Sequence, residues 1–301
     1  MPSMAQASHT ESPALGCMAD SICQGIARHV RSALLQEVLL TPKPGLVDQR
    51  NNGSHQDMSL DTFRRSTAAI GDSFALFAGC GMRHASVPAE SMLPLMRPIG
   101  LQAEQAMQAA TRGVNTHKGG IFSLGLLSAA AGRLWQNGQS ADEQGLCQLV
   151  AQFCHDLVAQ ELSGRQHSPA TTAGERLFQR YGLQGARGEA ASGYATVRQH
   201  ALPVYRHLQQ QGVDGETALL QTMLHLLAHN ADTNLVARGG LAGLAFVQSA
   251  ARSLLQSGGV LQKNGREQLM AMDDALIARR LSPGGSADLL GVTCFLASYC
   301  A

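Results

Sequence analysis

Ala218-Leu219-Leu220-Gln221-Thr222-Met223-Leu224-His225-Leu226-Leu227 is apolar on almost every side when wound at helical pitch. A surface helix confines its apolar residues to one stripe. This run therefore predicts a helix buried all round, at the centre of a helical fold. Upstream, Leu146, Leu149, Val150, Phe153 and Leu157 recur at the spacing of a single helix face. Composition agrees: 43 Ala and 40 Leu stand against 20 Ile and Val together, and aromatics make up 4% of the chain. Helices favour Ala and Leu, whereas strands favour β-branched and aromatic residues, so the expected fold class is all-α.

The 301 residues suffice for one large domain, and no Pro- or Ser-rich linker or internal repeat divides them. The expectation is a single compact multi-helix catalytic domain over 16–301, with functional loops at helix ends, behind a disordered tail over 1–15. That tail lacks the basic start and apolar run of a signal peptide. With 23 Lys and Arg against 22 Asp and Glu, the chain lacks the basic excess of a nucleic-acid binder. The longest uncharged apolar stretch, Gly119 to Gly132, is shorter than the ~18–20 residues that span a bilayer. Seven cysteines without a C-x-x-C pair read as buried, reduced thiols. Together these features predict a soluble, cytoplasmic protein with no nucleic-acid or membrane partner.

Five polar clusters separate the helical segments. The first runs Thr41-Pro42-Lys43-Pro44-Gly45-Leu46-Val47-Asp48 and on through Gly53-Ser54-His55-Gln56-Asp57-Met58. The second is Gly113-Val114-Asn115-Thr116-His117-Lys118-Gly119-Gly120, and the third Gly182-Leu183-Gln184-Gly185-Ala186-Arg187-Gly188-Glu189-Ala190. The fourth joins Asp232-Thr233-Asn234 to Arg238-Gly239-Gly240. In the fifth, Ser282-Pro283-Gly284-Gly285-Ser286-Ala287-Asp288, Ser286 reads as the N-cap of a last helix. Two of the chain's three lysines, Lys43 and Lys118, fall in these clusters. A Lys beside glycines at a helix start suits an anion, because free N–H groups and the helix dipole add to its charge. Neither a P-loop nor a Gly-x-Gly-x-x-Gly turn is present. Asp48, Asp57, Asp232 and Asp288 add loop carboxylates of the kind that hold Mg²⁺ beside substrate phosphates. His225 and His229, four apart, lack the glutamate of a His-Glu-x-x-His site and read as hydrogen-bonded core histidines; Met107 also reads as core. From the residues alone, the reading stops at a polyphosphate and Mg²⁺ pocket built from loops.

The same clusters, with Ile121-Phe122-Ser123-Leu124-Gly125 extending the second and Leu289-Leu290 the fifth, resemble the triphosphoribosyl-dephospho-coenzyme A synthase family from about Glu37 to the C-terminus. Thr-Pro-Lys-Pro-Gly and Gly-Ser-His resemble its citrate lyase branch more than its malonate decarboxylase branch. The resemblance implies an all-α fold and a pentosyl transfer. The triphosphoribosyl group of ATP passes to the 2'-hydroxyl of 3'-dephospho-coenzyme A, and adenine leaves. The product is a prosthetic-group precursor, with a possible transient contact to the machinery that loads the lyase acyl carrier.

That chemistry distributes the residues. Lys43, Lys118, Arg187 and Arg238 are expected on the triphosphate, with Asn115, Ser54 and His55 as further substrate contacts. Asp57, Asp232 and Asp288 are expected to share Mg²⁺. Asp48 or Glu189 is the candidate base, and His117 a candidate for proton transfer or for orienting the substrate. The rival readings are a Mg²⁺-dependent hydrolase of ADP-ribosyl type, which would use water as acceptor, and a non-catalytic adaptor.

Overall fold

The computed structural model describes residues 13–162, 170 and 172–300. The expected tail falls outside them as far as residue 12, and the first helix begins at Pro13. In chain order the α-helices are α1 (Pro13–Leu39), α2 (Leu60–Ile70), α3 (Ser73–Arg83), α4 (Met92–Thr111), α5 (Lys118–Gln136), α6 (Glu143–Phe153) and α7 (Leu157–Glu161). They continue as α8 (Ala173–Tyr181), α9 (Gly185–Ala191), α10 (Leu202–Gln210), α11 (Gly215–His229), α12 (Thr233–Gln256), α13 (Gly265–Ala278) and α14 (Gly284–Tyr299). The described residues form no strand, and none of their helices is long and apolar enough to cross a membrane.

One continuous apolar core joins these helices. The apolar run Ala218 to Leu227 lies in α11, where even Gln221 and Thr222 are buried. A second helix of the same kind is α14, buried from Leu289 through Leu296 and packed on α1, α5 and α11. α1 presents the stripe Ile26, Ala27, Val30, Ala33, Leu34 and Val38 to this core. The broadest helix pair is α3 on α5, and small residues make it close: a Cβ on Gly132 would sit 2.1 Å from the carbonyl oxygen of Ala78. The consequence is that α5, pinned along its length, presents a fixed N-terminus.

Some expectations need correction. Ser286 is not an N-cap. α14 starts two residues earlier, at Gly284, and the Ser286 N–H is satisfied by Asp232 from another helix. His225 and His229 are not core residues. His229 is exposed, its ring stacks on His200 at 3.9 Å, and its Nδ1 lies 2.9 Å from the carbonyl oxygen of His225, which is half-buried. All seven cysteines are free and five are buried, but Cys17 is exposed. Parts of four clusters are helical: residues 118–120 lie in α5, 185–190 in α9, 233–234 and 238–240 in α12, which kinks at Gly240 (φ 64°), and 284–288 in α14. Met107 is core, and its Sδ accepts the His117 N–H.

Candidate functional site

The N-termini of α5, α12 and α14 converge on a cavity of ≈ 410 Å³, closed by the end of α1, the loop that follows it, and α9. Lys118, Gly119 and Gly120 contribute from α5, Thr233 and Asn234 from α12, and Gly284 and Gly285 from α14. Each helix start carries partial positive charge and unsatisfied N–H groups. The caps of α5 and α14, His117 and Pro283, make no side-chain capping bond. Asn115 Oδ1 accepts the Lys118 N–H at 3.2 Å, Asp288 that of Gly120 and Asp232 that of Ser286, which leaves Gly119, Gly284 and Gly285 to offer N–H groups to a ligand.

Asp232 couples two of these ends. Its Oδ1 accepts the N–H groups of Asn234 (2.9 Å) and Leu235 (3.4 Å), while its Oδ2 accepts both the N–H and the hydroxyl of Ser286 (2.7 and 2.9 Å). Burial raises its carboxyl pKa, and these bonds act against that rise. Asp288 lines the same cavity and takes a hydrogen bond from the Gly120 backbone. Its pKa is pushed well above the usual carboxylate range, first by burial and then by the charges of Glu37 and Asp232. Any side chain at 119 would collide with this carboxylate, since a Cβ there would lie 1.9 Å from Asp288 Oδ2.

The floor is an ion pair. Lys43 is 2% exposed, and its Nζ lies 2.6 Å from Glu37 Oε1. A buried ammonium is tolerated because a carboxylate meets it. Beside them, His117 Nδ1 lies 2.6 Å from Ser66 Oγ, and the Thr116 hydroxyl donates to that same oxygen at 2.7 Å. With Thr116 donating, Ser66 Oγ is free to give its own proton to Nδ1, and in that arrangement the ring proton is on Nε2. His117 Nε2 is buried and has no partner among the described residues, although His117 lines the cavity. Burial, with the Lys43 charge, lowers the His117 pKa to about 3, so the ring is neutral at pH 7. Glu189 also lines the cavity, accepting the Thr196 hydroxyl (2.6 Å) and N–H (3.3 Å), and burial raises its carboxyl.

Of the remaining expected residues, Asn115, His55 and Arg238 line the cavity with Lys118. Arg238 donates to the Ser54 and Arg280 carbonyls and to His55 Nδ1, and His55 Nε2 lies 2.8 Å from Ser282 Oγ. Burial and the Arg238 charge lower the His55 pKa, with Asp57 opposing them. Lys118 Nζ pairs with Glu104 at 2.8 Å.

Four residues stand apart from the cavity wall. Asp48 accepts the N–H groups of Lys43 (2.8 Å), Arg50 (2.7 Å) and Asn51 (3.0 Å), so it shapes the loop. Ser54 is engaged with the Leu281 carbonyl at 2.6 Å. Arg187 pairs with Glu161 at 2.9 Å and lines a neighbouring cavity. Asp57 is 65% exposed, 3.8 Å from His55 Nδ1. The three expected metal carboxylates are therefore not gathered: Asp232 and Asp288 share a wall, and Asp57 lies outside it. No group of three His, Cys, Asp or Glu fit for a metal occurs among the described residues.

Glu37 and Ser66 are members of the site that sequence reasoning passed over. Glu37 is the one charge in Leu34-Leu35-Gln36-Glu37-Val38-Leu39-Leu40, a signal that was there to use. Ser66 sits mid-helix with nothing local to mark it. Asp273, fully buried on α13, was also unmarked. It holds the loop by accepting from Gly45 N–H, Arg50 and Asn51.

Comparison with known proteins supplies an independent line. A family model described as ATP:dephospho-CoA triphosphoribosyl transferase matches residues 23–300. The chain is 56% identical over 274 residues to a 2-(5''-triphosphoribosyl)-3'-dephosphocoenzyme-A synthase of Pectobacterium atrosepticum, covering 91% of this chain and 89% of that protein. It is 54% identical over 270 residues to the Klebsiella pneumoniae protein of the same name, at 90% and 89% coverage. To the one from Escherichia fergusonii it is 51% identical over 276 residues, at 92% and 91%. No solved structure matches the chain.

Proposed function

The chain belongs to the ATP:dephospho-CoA triphosphoribosyl transferase family, and on that premise we propose that it transfers the triphosphoribosyl group of ATP to the 2'-hydroxyl of 3'-dephospho-coenzyme A and releases adenine. One observation carries the reading beyond the family: three helix N-termini converge on a cavity that also contains a buried carboxylate and an unpartnered imidazole nitrogen. Converging N–H groups suit a triphosphate that must be held without being hydrolysed. Arg238 adds charge, Lys43, neutralised by Glu37, adds a donor without net charge, and Lys118 can turn from Glu104 to the same ligand.

The 2'-oxygen bonds to the anomeric carbon of ATP as the C–N bond to adenine breaks. The proton of that hydroxyl passes to Glu189, whose raised carboxyl suits a proton acceptor. Positive charge develops on the sugar, and a carboxylate beside it lowers the barrier. His117 Nε2–H hydrogen-bonds the departing adenine, which takes up a proton from solvent as it is released, and Glu189 returns its proton to solvent, so the overall reaction is proton-neutral. A single displacement inverts the β configuration of ATP.

The donor set fits Mg²⁺ through Asp288. Glu37 is occupied by Lys43 and Asp232 by four hydrogen bonds, whereas Asp288 is raised by burial first and then by the charges of Glu37 and Asp232, which a cation would offset. When bound with substrate phosphates, the ion would neutralise their charge. A citrate lyase destination for the product, contact with the acyl carrier machinery, and a cytoplasmic location are parts of the same proposal; the seven free thiols support a reducing compartment.

The test is adenine release. Purified protein should release adenine only when ATP and 3'-dephospho-coenzyme A are both present, with an adduct carrying ribose and three phosphates. Adenine release without the second substrate points to a hydrolase and overturns the transfer.

A further inference from the structure

A second cavity, of ≈ 360 Å³, lies against the first and shares Lys118, Gly119 and Ala186 with it. Its character differs. Phe77, Met96, Ile121, Phe122 and Leu126 supply an apolar floor, and Leu101, 54% exposed, stands on its wall. Arg97 and Arg187, which line it too, converge on the single carboxylate of Glu161. Two guanidiniums on one carboxylate leave net positive charge. Burial alone would raise the Glu161 carboxyl, but the two arginines outweigh it and hold it low.

The proposed reaction needs two large substrates. Cavities that take one drug-sized molecule run to roughly 300–1,000 Å³. The first cavity, at ≈ 410 Å³, falls at the small end of that range and cannot enclose both. Glu189, the proposed proton acceptor, is on the short helix α9, which also carries Ala186 on the shared wall and Arg187 in the second cavity.

We propose that the second cavity is the acceptor site, holding the pantetheine arm of 3'-dephospho-coenzyme A on its apolar floor and the diphosphate against Arg97 and Arg187. The acceptor ribose then lies at the shared wall, with its 2'-hydroxyl toward Glu189. Arg187 directly follows Ala186 of the shared wall on α9, and Ile121 and Phe122 follow Gly119 of that wall on α5, so both the guanidinium and the apolar floor adjoin it. Arg187 acts on the acceptor in this arrangement, and the triphosphate is left to the helix ends. The assignment rests on the proposed transfer.

The probe is 4'-phosphopantetheine, which carries the arm and one phosphate but no nucleoside. Binding is followed by calorimetry, and inhibition against each substrate in turn. Two variants are compared with the wild type: Leu101→Glu, which puts a negative charge on the exposed wall, and Gly100→Leu, which adds apolar bulk to the same cavity. A Cβ at 100 meets nothing closer than Phe77 at 3.8 Å, so the backbone accommodates the change. The expected result is inhibition competitive with 3'-dephospho-coenzyme A and not with ATP. Both variants should weaken 4'-phosphopantetheine by about tenfold or more, a change of ~1.4 kcal/mol, with ATP binding unchanged. Competition with ATP, no binding to the wild type, or binding to both variants as tight as to the wild type overturns the assignment. Wild-type protein that binds the probe but forms no adduct refutes the transfer, and not the cavity's affinity for the arm. ATP binding by each variant verifies that it is folded.

Discussion

Asp232 and Ser286, 54 positions apart, are joined twice through one carboxylate oxygen, which accepts both the N–H and the hydroxyl of Ser286. The other oxygen caps α12, so a single side chain sets the relative positions of two helix ends that face the cavity. Asp232→Ala should lower stability by about 2–4 kcal/mol, since it strips a helix cap and leaves buried donors unpaired. Ser286→Ala should cost only about 1 kcal/mol. Urea unfolding of both variants tests the ranking. Near-wild-type stability of Asp232→Ala would return that residue to the list of free metal ligands.

Neutral His117 makes the fold acid-sensitive. Its folded pKa, about 3, lies below the ordinary 6.5, so the unfolded chain binds the proton more readily. Its contribution is complete above pH 6.5 and is lost as pH falls from there toward 3. By pH 5 the loss relative to pH 7 amounts to about 2 kcal/mol. His117→Gln should flatten that part of the pH–stability curve. An unchanged slope would contradict the burial of a neutral ring.

Glu189→Gln should reduce kcat by roughly 10²–10⁴ while leaving the Kd for ATP within about twofold. Because burial raises the Glu189 carboxyl, the acid limb of the wild-type kcat profile should lie above the range of an ordinary glutamate, and activity should rise as Glu189 loses its proton. Asp48→Asn should behave differently, costing about 1–3 kcal/mol of stability by disturbing three backbone hydrogen bonds. Equal kcat in wild type and Glu189→Gln would remove Glu189 from the mechanism.

Gly132→Ala should separate α3 from α5, because the new methyl group would meet the Ala78 carbonyl at 2.1 Å. Overpacking of this kind costs about 1–3 kcal/mol. Since α5 also presents Lys118 and Gly119 to the cavity, ATP binding should weaken with stability. Calorimetry and thermal unfolding on the same sample test both effects.

The helical architecture was legible because burial on all sides leaves a continuous apolar run, as in α11, and because the clusters between helices break the pattern. The cavity wall was legible wherever a motif supplies both a glycine and a charge, as at Lys118 and Asp288. What escaped was pairing. Arg187 and Asp57 sit in motifs like the others, but Glu161 draws Arg187 into the second cavity, and Asp57 projects outward on a loop held by Asp273. Such partners lie many residues away, and no spacing rule reports them. Ser286 was misread for the same reason: its donor is capped by an acid from another helix, so the local N-cap pattern was never needed.

The central claim is that the triphosphate of ATP rests on the converging ends of α5, α12 and α14, and a structure with ATP bound tests it most directly. The account predicts phosphate oxygens at roughly 2.7–3.2 Å from first-turn N–H groups of α5 and α14, with the ribose facing Glu189. A triphosphate lodged against Arg97 and Arg187 in the second cavity would contradict it.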